Sequence, residues 1–146
     1  MITFSNNNQK IDIEVEGYAY PFSKDEWDSN WLSIKVCIKE LLNGEEWELN
    51  DTCLLTMELK DLKNWFKELH NKNDDSKIKF IEPTLSFYFK SNSLIIELKY
   101  NLNPYYDENN DKPYIIEIQD KFIDINTIVN NLEYDINKFP QKGNPK

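Results

Sequence analysis

Arginine is absent from the sequence, because all 17 basic residues are lysines, and they stand against 26 acidic residues. Proteins that bind phosphate groups use arginine for bidentate contacts, and a net charge of −9 repels a polyanion. We therefore expect neither a nucleic acid nor an anionic membrane surface as a partner. The charge instead favours a basic protein, since an acidic field speeds encounter with a cationic surface.

Glycine, histidine and cysteine are scarce. Only three glycines occur, which excludes a phosphate-binding loop or a dinucleotide fingerprint. One histidine and two cysteines do not make up a usual zinc site, and no nucleophile motif surrounds any serine or cysteine. We expect no metal and no cofactor, with Cys37 and Cys53 as buried free thiols. His70 ends a predicted helix, where the helix dipole favours a cation, so we expect a structural role for it.

No apolar run is long enough to span a bilayer. The first eight residues also lack a basic region followed by an apolar stretch, so we expect no export signal and a cytoplasmic protein. The length of 146 residues, with 14% aromatic residues, is sufficient for one folded domain with a core. We assign this domain to residues 1–140 and expect residues 141–146 to form a frayed tail.

Alternating apolar residues predict strands with one buried face. The predicted inward sets are Ile11, Ile13 and Val15; Leu32, Ile34, Val36 and Ile38; Trp47 and Leu49; Leu85, Phe87 and Phe89; Leu94, Ile96 and Leu98; and Tyr114, Ile116 and Ile118. A further strand is predicted near 78–82. Asn43-Gly44 and Ser91-Asn92 predict hairpin turns.

Two segments, near 57–70 and 125–139, have apolar residues at helical spacing. Thr56 is the predicted N-cap of the first helix, and Asp124 is that of the second, which Pro140 should end. Together with the strands, these helices predict an α+β fold: a mostly antiparallel sheet covered by two amphipathic helices in a single domain.

Paired carboxylates are the catalytic chemistry that the sequence leaves open. Asp28, Glu58 and Glu82 lie beside aromatic or apolar residues, where burial can raise the pKa of a carboxyl enough for acid catalysis. Capping and turn roles explain them equally well, because such neighbours arise by chance in a chain with 26 acids. Exposed aromatic rings beside carboxylates also suit sugars, so a carbohydrate-binding module or a carboxylate-based hydrolase is the alternative function.

Two polar loops combine carboxylates, which attract a basic surface, with aromatic rings that can anchor it. The predicted partner-binding residues are Asp25, Glu26, Trp27 and Asp28 in the first loop, and Tyr105, Tyr106, Asp107, Glu108 and Asp111 in the second. Solvated turns explain either cluster equally well. We predict that both loops contribute to one binding face for a basic protein.

Three segments together resemble a known family. They are Trp27-Asp28-Ser29-Asn30-Trp31-Leu32, then Cys53-Leu54-Leu55-Thr56-Met57-Glu58-Leu59 with Leu62 and Trp65, then Phe80-Ile81-Glu82-Pro83-Thr84-Leu85-Ser86-Phe87. With Phe139-Pro140 near the end, the chain resembles the WapI-type immunity proteins of bacterial polymorphic toxin systems, from about Ile11 to Pro140. The resemblance implies a non-catalytic inhibitor, without a cofactor, that binds the C-terminal toxin domain of a secreted protein inside the cell. Such toxin domains are often basic nucleases, which agrees with the charge of −9.

Overall fold

The computed structural model describes residues 1–69 and 75–145, so His70 lies outside the described residues. Within them, eight strands form two antiparallel four-stranded sheets, accompanied by two α-helices. The predicted α+β class is therefore confirmed. The strands are divided between two sheets where the sequence analysis expected one.

The first sheet has the strand order β1-β2-β3-β4. Its strands are β1 (Ile2–Ser5), β2 (Gln9–Tyr18), β3 (Trp31–Glu40) and β4 (Glu46–Leu55). The sequence analysis missed β1, although Ile2 and Phe4 alternate with exposed residues and are both buried. The predicted alternation of β3 is confirmed, because its even-numbered residues from Leu32 to Ile38 are all buried.

The second sheet has the order β5-β6-β7-β8. Its strands are β5 (Ser76–Ile78), β6 (Leu85–Lys90), β7 (Ser93–Leu98) and β8 (Tyr114–Gln119). Ser91 and Asn92 both have positive φ, as a tight hairpin turn requires. The strand predicted near 78–82 was wrong. The strand found there, β5, ends at Ile78. Beyond it, the Ile81 amide donates to the Glu58 carboxylate and not to a neighbouring strand.

The two helices are α1 (Thr56–Glu68) and α2 (Ile125–Lys138). Asp124 caps α2 as predicted, since its carboxylate accepts the Thr127 amide at 3.2 Å. The prediction for Thr56 was wrong: Leu55 occupies the N-cap position of α1, and the Thr56 side chain points to another partner described below. Neither helix, as far as the chain is described, is long and apolar enough to cross a membrane.

One hydrophobic core joins the sheets and the helices. Phe66 of α1 lies between them, with its ring centroid 6.1 Å from that of Phe4 on β1 and 5.7 Å from that of Phe87 on β6. Helix α2 packs beside α1, where Lys63 and Glu133 form an ion pair at 2.7 Å. The two sheets are therefore parts of one packed unit, and the loops at their ends are held on a common scaffold.

The two cysteines are free and differ in burial. Cys53 is fully buried at the bulge where β4 shifts register against β3. Cys37 alternates with Val36 and Ile38, so it lies on the outer face of β3 and is only half-buried. The expectation that both thiols are buried is therefore wrong for Cys37.

Candidate functional site

The first acidic loop, residues 19–30, connects β2 to β3 and is shaped by one of its own carboxylates. The Asp25 Oδ1 atom accepts the backbone N–H groups of Trp27 at 2.8 Å and Asp28 at 2.9 Å. A short 3₁₀ turn, Asp28–Asn30, then leads into β3. Asp25 therefore holds the loop in a defined conformation, which leaves the other side chains of the loop in fixed positions.

Asn30 ties this loop to two distant parts of the chain. Its side chain is fully buried. The Oδ1 atom accepts the Thr56 hydroxyl and the Lys142 amide, both at 2.7 Å, and the Nδ2 atom donates to the carbonyls of Glu26 at 2.5 Å and Lys142 at 2.7 Å. The loop is thus fastened to the start of α1 and to residue 142, which lies in the segment expected to fray. The mobility of residues 141–146 stays a prediction.

Several large apolar side chains near this loop are exposed. The Phe22 side chain is 95% exposed, Tyr20 is 49% exposed and Trp27 is 41% exposed. Ile81, from the segment that follows β5, is 63% exposed. The loop therefore presents aromatic rings to solvent in addition to its carboxylates.

A cleft of about 450 Å³ lies at the base of the loop. It is lined by two aromatic residues, two carboxylates and one hydroxyl: Tyr20, Trp31, Asp28, Glu82 and Thr52. These residues come from three segments that are distant in sequence. We call the cleft together with Phe22, Trp27 and Ile81 the β2–β3 surface.

The aromatic rings of the second acidic loop pack against other rings and remain exposed on one side, Tyr105 at 56% and Tyr106 at 43%. The Tyr105 ring packs edge-on against Trp47, at 5.2 Å between centroids, and stacks on Tyr114 at 6.0 Å. Tyr106 packs against Tyr100 at 5.7 Å. The predicted acids Asp107, Glu108 and Asp111 are exposed, and the Asp107 carboxylate accepts the Asn109 amide at 3.0 Å to form a local turn.

The two loops adjoin different parts of the first sheet. The first loop leads directly into Trp31, which pairs with Leu55, whereas the second packs on Trp47, which pairs with Ile38. From Trp31 to Ile38 the strand spans about 23 Å at about 3.3 Å per residue. The structure thus places the predicted partner-binding residues in two clusters, and that both clusters contact one partner stays a prediction.

A family model, that of the immunity protein WapI-like family, matches residues 1–140. The chain belongs to this family. The match agrees with the resemblance seen in the sequence and includes both acidic loops. No curated protein matches the chain.

The carboxylates considered for catalysis have different surroundings in this WapI-like immunity protein. Glu58 is buried, and its two carboxylate oxygens accept the backbone N–H groups of Leu55 and Ile81, each at 2.9 Å. Burial raises the pKa of Glu58, and the two hydrogen bonds oppose that rise. Glu58 thus joins the first turn of α1 to the segment after β5, and both of its oxygens are occupied.

Asp28 and Glu82 are exposed and line the same cleft of the immunity protein. Among residues 1–69 and 75–145, no side-chain hydrogen bond or ion pair engages either carboxylate. The same described ranges contain no group of three or more His, Cys, Asp or Glu side chains that would hold a metal ion. Sequence reasoning named Asp28 and Glu82 among the candidate paired carboxylates but did not place them in one cleft, because no local signal shows that residue 82 folds back onto the loop.

Proposed function

We propose that this immunity protein binds and neutralises the C-terminal toxin domain of a secreted bacterial protein, in the cytoplasm of the cell that produces both. The observation that carries the proposal is the family match over residues 1–140. Neutralisation proceeds by stoichiometric, non-catalytic binding. The toxin domain is basic, in keeping with the immunity protein's charge of −9.

The distribution of exposed groups supports a binding role. Both acidic loops carry exposed aromatic rings beside carboxylates, including Trp27 and Tyr106. Carboxylates attract a basic surface at a distance, and large rings supply contact area after encounter. Loops on a rigid scaffold are also the usual location of binding residues.

The surroundings of Glu58 support a non-catalytic role. A general acid needs a carboxyl whose pKa is raised and which can reach a substrate. Burial raises the pKa of Glu58, but backbone N–H groups from Leu55 and Ile81 occupy both of its oxygens. Glu58 therefore has a structural role.

Titration of toxin activity tests the proposal. The gene beside that of this protein should encode the secreted toxin. Its C-terminal domain is the probe, assayed for toxic activity with increasing amounts of the immunity protein. Inhibition should rise linearly and be complete at one equivalent, independent of incubation time. Inhibition that becomes complete at a small fraction of one equivalent, or that grows with time, would indicate catalysis instead. No inhibition at any ratio would refute the proposed function.

The alternative function, a carbohydrate-binding module or a carboxylate-based hydrolase, keeps one observation in its favour. Tyr20 and Trp31 line the same cleft as Asp28 and Glu82, and rings beside carboxylates also suit a sugar. Hydrolysis or tight binding of an oligosaccharide, lost in the Asp28→Asn variant, would favour this alternative over the toxin-binding function.

A further inference from the structure

We propose that the toxin docks on the β2–β3 surface, with Phe22 as its apolar anchor and the adjoining cleft as the receptor for one basic side chain of the toxin. This inference rests on the proposed function and goes beyond it by choosing between the two acidic loops. It also states the chemistry of the partner: a basic protein surface with a lysine or arginine beside an apolar patch.

The exposure of Phe22 is the first argument. At 95%, it exceeds the exposure of every other large apolar side chain in the described part of the chain. A phenyl ring in water is unfavourable, and its burial against a partner contributes to binding. Tyr20 and Trp27 of the same loop are also exposed, as is Ile81 beside the cleft residue Glu82. Exposed apolar groups that cluster and are rimmed by polar residues mark interaction sites.

The chemistry of the cleft is the second argument. Asp28 and Glu82 offer two carboxylates, and the rings of Tyr20 and Trp31 offer the faces that attract a cation. Lys24, the one lysine in residues 19–30, forms no ion pair with either carboxylate. A basic side chain of a partner meets opposite charge and aromatic walls in the same cleft.

Three other carboxylates of the first sheet, those of Glu14, Glu46 and Glu48, are already paired with lysines. Lys35 lies 3.1 Å from Glu14 and 3.7 Å from Glu48, and Lys39 lies 3.3 Å from Glu46. These lysines neutralise the outer face of the sheet locally. A cation is therefore attracted less at those three acids than at Asp28 and Glu82, with which no lysine in residues 1–69 or 75–145 forms an ion pair.

The rigidity of the loop is the third argument. Four hydrogen bonds of the Asn30 side chain and two accepted by Asp25 fix residues 25–30 before any partner arrives. A preorganised surface loses less conformational entropy on binding. In the second loop the Tyr105 ring packs on Trp47 and Tyr114, and neither Tyr105 nor Tyr106 is as exposed as Phe22.

The four tryptophans allow a direct test by NMR. Trp27 and Trp31 belong to the β2–β3 surface, Trp47 contacts the second loop, and Trp65 lies in the core with its indole N–H donating to Ser76 at 3.0 Å. The indole N–H signals of the ¹⁵N-labelled protein are recorded with and without the unlabelled toxin domain encoded beside this chain. The signals of Trp27 and Trp31 should shift, whereas those of Trp47 and Trp65 should not.

Variants measured by binding kinetics give the second half of the test. Phe22→Ala should weaken toxin binding at least ~10-fold, mainly through faster dissociation. The double change Asp28→Asn and Glu82→Gln should slow association several-fold. The matched controls at the other end of the sheet are Leu42→Ala, at a side chain that is 84% exposed, and the double change Asp107→Asn and Glu108→Gln. At physiological ionic strength both controls should bind within about twofold of the unmodified protein.

The outcomes separate the inference from the function on which it rests. If the unmodified protein inhibits the toxin but the Trp47 signal shifts, or the controls weaken binding while Phe22→Ala does not, the docking surface is wrong and the function stands. If the unmodified protein does not inhibit the toxin at all, the proposed function fails, and the docking surface fails with it. A shift of the Trp31 signal on addition of chitotetraose, with none on addition of the toxin domain, would assign the cleft to a sugar.

Discussion

Replacing Asn30 with alanine should destabilise the protein by about 3 kcal/mol. The change removes four hydrogen bonds from a fully buried side chain. Each such bond contributes about 0.5–1.5 kcal/mol net. Four such bonds give about 2–6 kcal/mol. Because the partner groups in Glu26 and Lys142 lie near the surface, water can reach some of them, and the loss falls in the lower half of that range.

Urea and thermal unfolding measure this loss. For a chain of this length, about 3 kcal/mol corresponds to a decrease in Tm of about 10 °C. The matched control is Asn101→Ala, since Asn101 is exposed and makes one side-chain hydrogen bond, to Asp51 at 3.0 Å. That variant should lose less than about 1 kcal/mol. If Asn30→Ala costs no more than Asn101→Ala, the loop is not held by Asn30 and the reasoning fails.

A double-mutant cycle identifies the part contributed by the C-terminal segment. Ending the chain at Pro140 removes both hydrogen bonds between Asn30 and Lys142 and leaves those to Thr56 and Glu26. Because two of the four bonds are shared, the truncation and Asn30→Ala should be non-additive by about 1–2 kcal/mol. Strict additivity would show that residues 141–146 fray in solution and do not support the loop.

Two further predictions concern titratable groups. In the native protein, a thiol reagent should modify the half-exposed Cys37 slowly and leave the buried Cys53 unmodified. The reason is that burial raises the pKa of both thiols. Rapid modification of Cys53 in the Cys37→Ser variant would contradict this prediction. Burial raises the pKa of Glu58 above 4.5 in the folded protein. The contribution of Glu58 to the free energy of unfolding is therefore fully present below the unfolded-state pKa, and it is lost as the pH rises through the folded-state pKa. A carboxyl ¹³C titration of Glu58 with a midpoint at or below 4.5 would show that its two hydrogen bonds outweigh burial.

The sequence predicts the elements whose signals are local. Alternation identifies most strands of both sheets, and helical spacing identifies α1 and α2, because each buried face is continuous along the chain. Asp124 was predicted as a cap because its partner, Thr127, is three residues away. The residues that determine these elements are close to one another in the sequence, so a short segment is enough to predict them.

The errors lie where a distant residue decides the local structure. Threonine is a common N-cap residue, but the hydroxyl of Thr56 donates to Asn30, 26 residues earlier. Residues near Ile81 have the pattern of a strand, but the Ile81 amide binds Glu58, 23 residues earlier. No local pattern contains either partner. The cleft was missed for the same reason, since Glu82 and Thr52 reach it from separate segments.

The distance between the two acidic loops determines how the charge of −9 acts on a partner. Electrostatic attraction is screened over about 8 Å at physiological ionic strength and over about 30 Å at 0.01 M salt. Along β3, the Trp47 contact of the second loop lies about 23 Å from the end of the first loop. In dilute salt both loops therefore attract an approaching basic protein, and at physiological salt only the loop next to the docking site does. Neutralising Asp107 and Glu108 should therefore slow association only in dilute salt. Neutralising Asp28 and Glu82 should slow it at both ionic strengths, because their charges contact the partner directly.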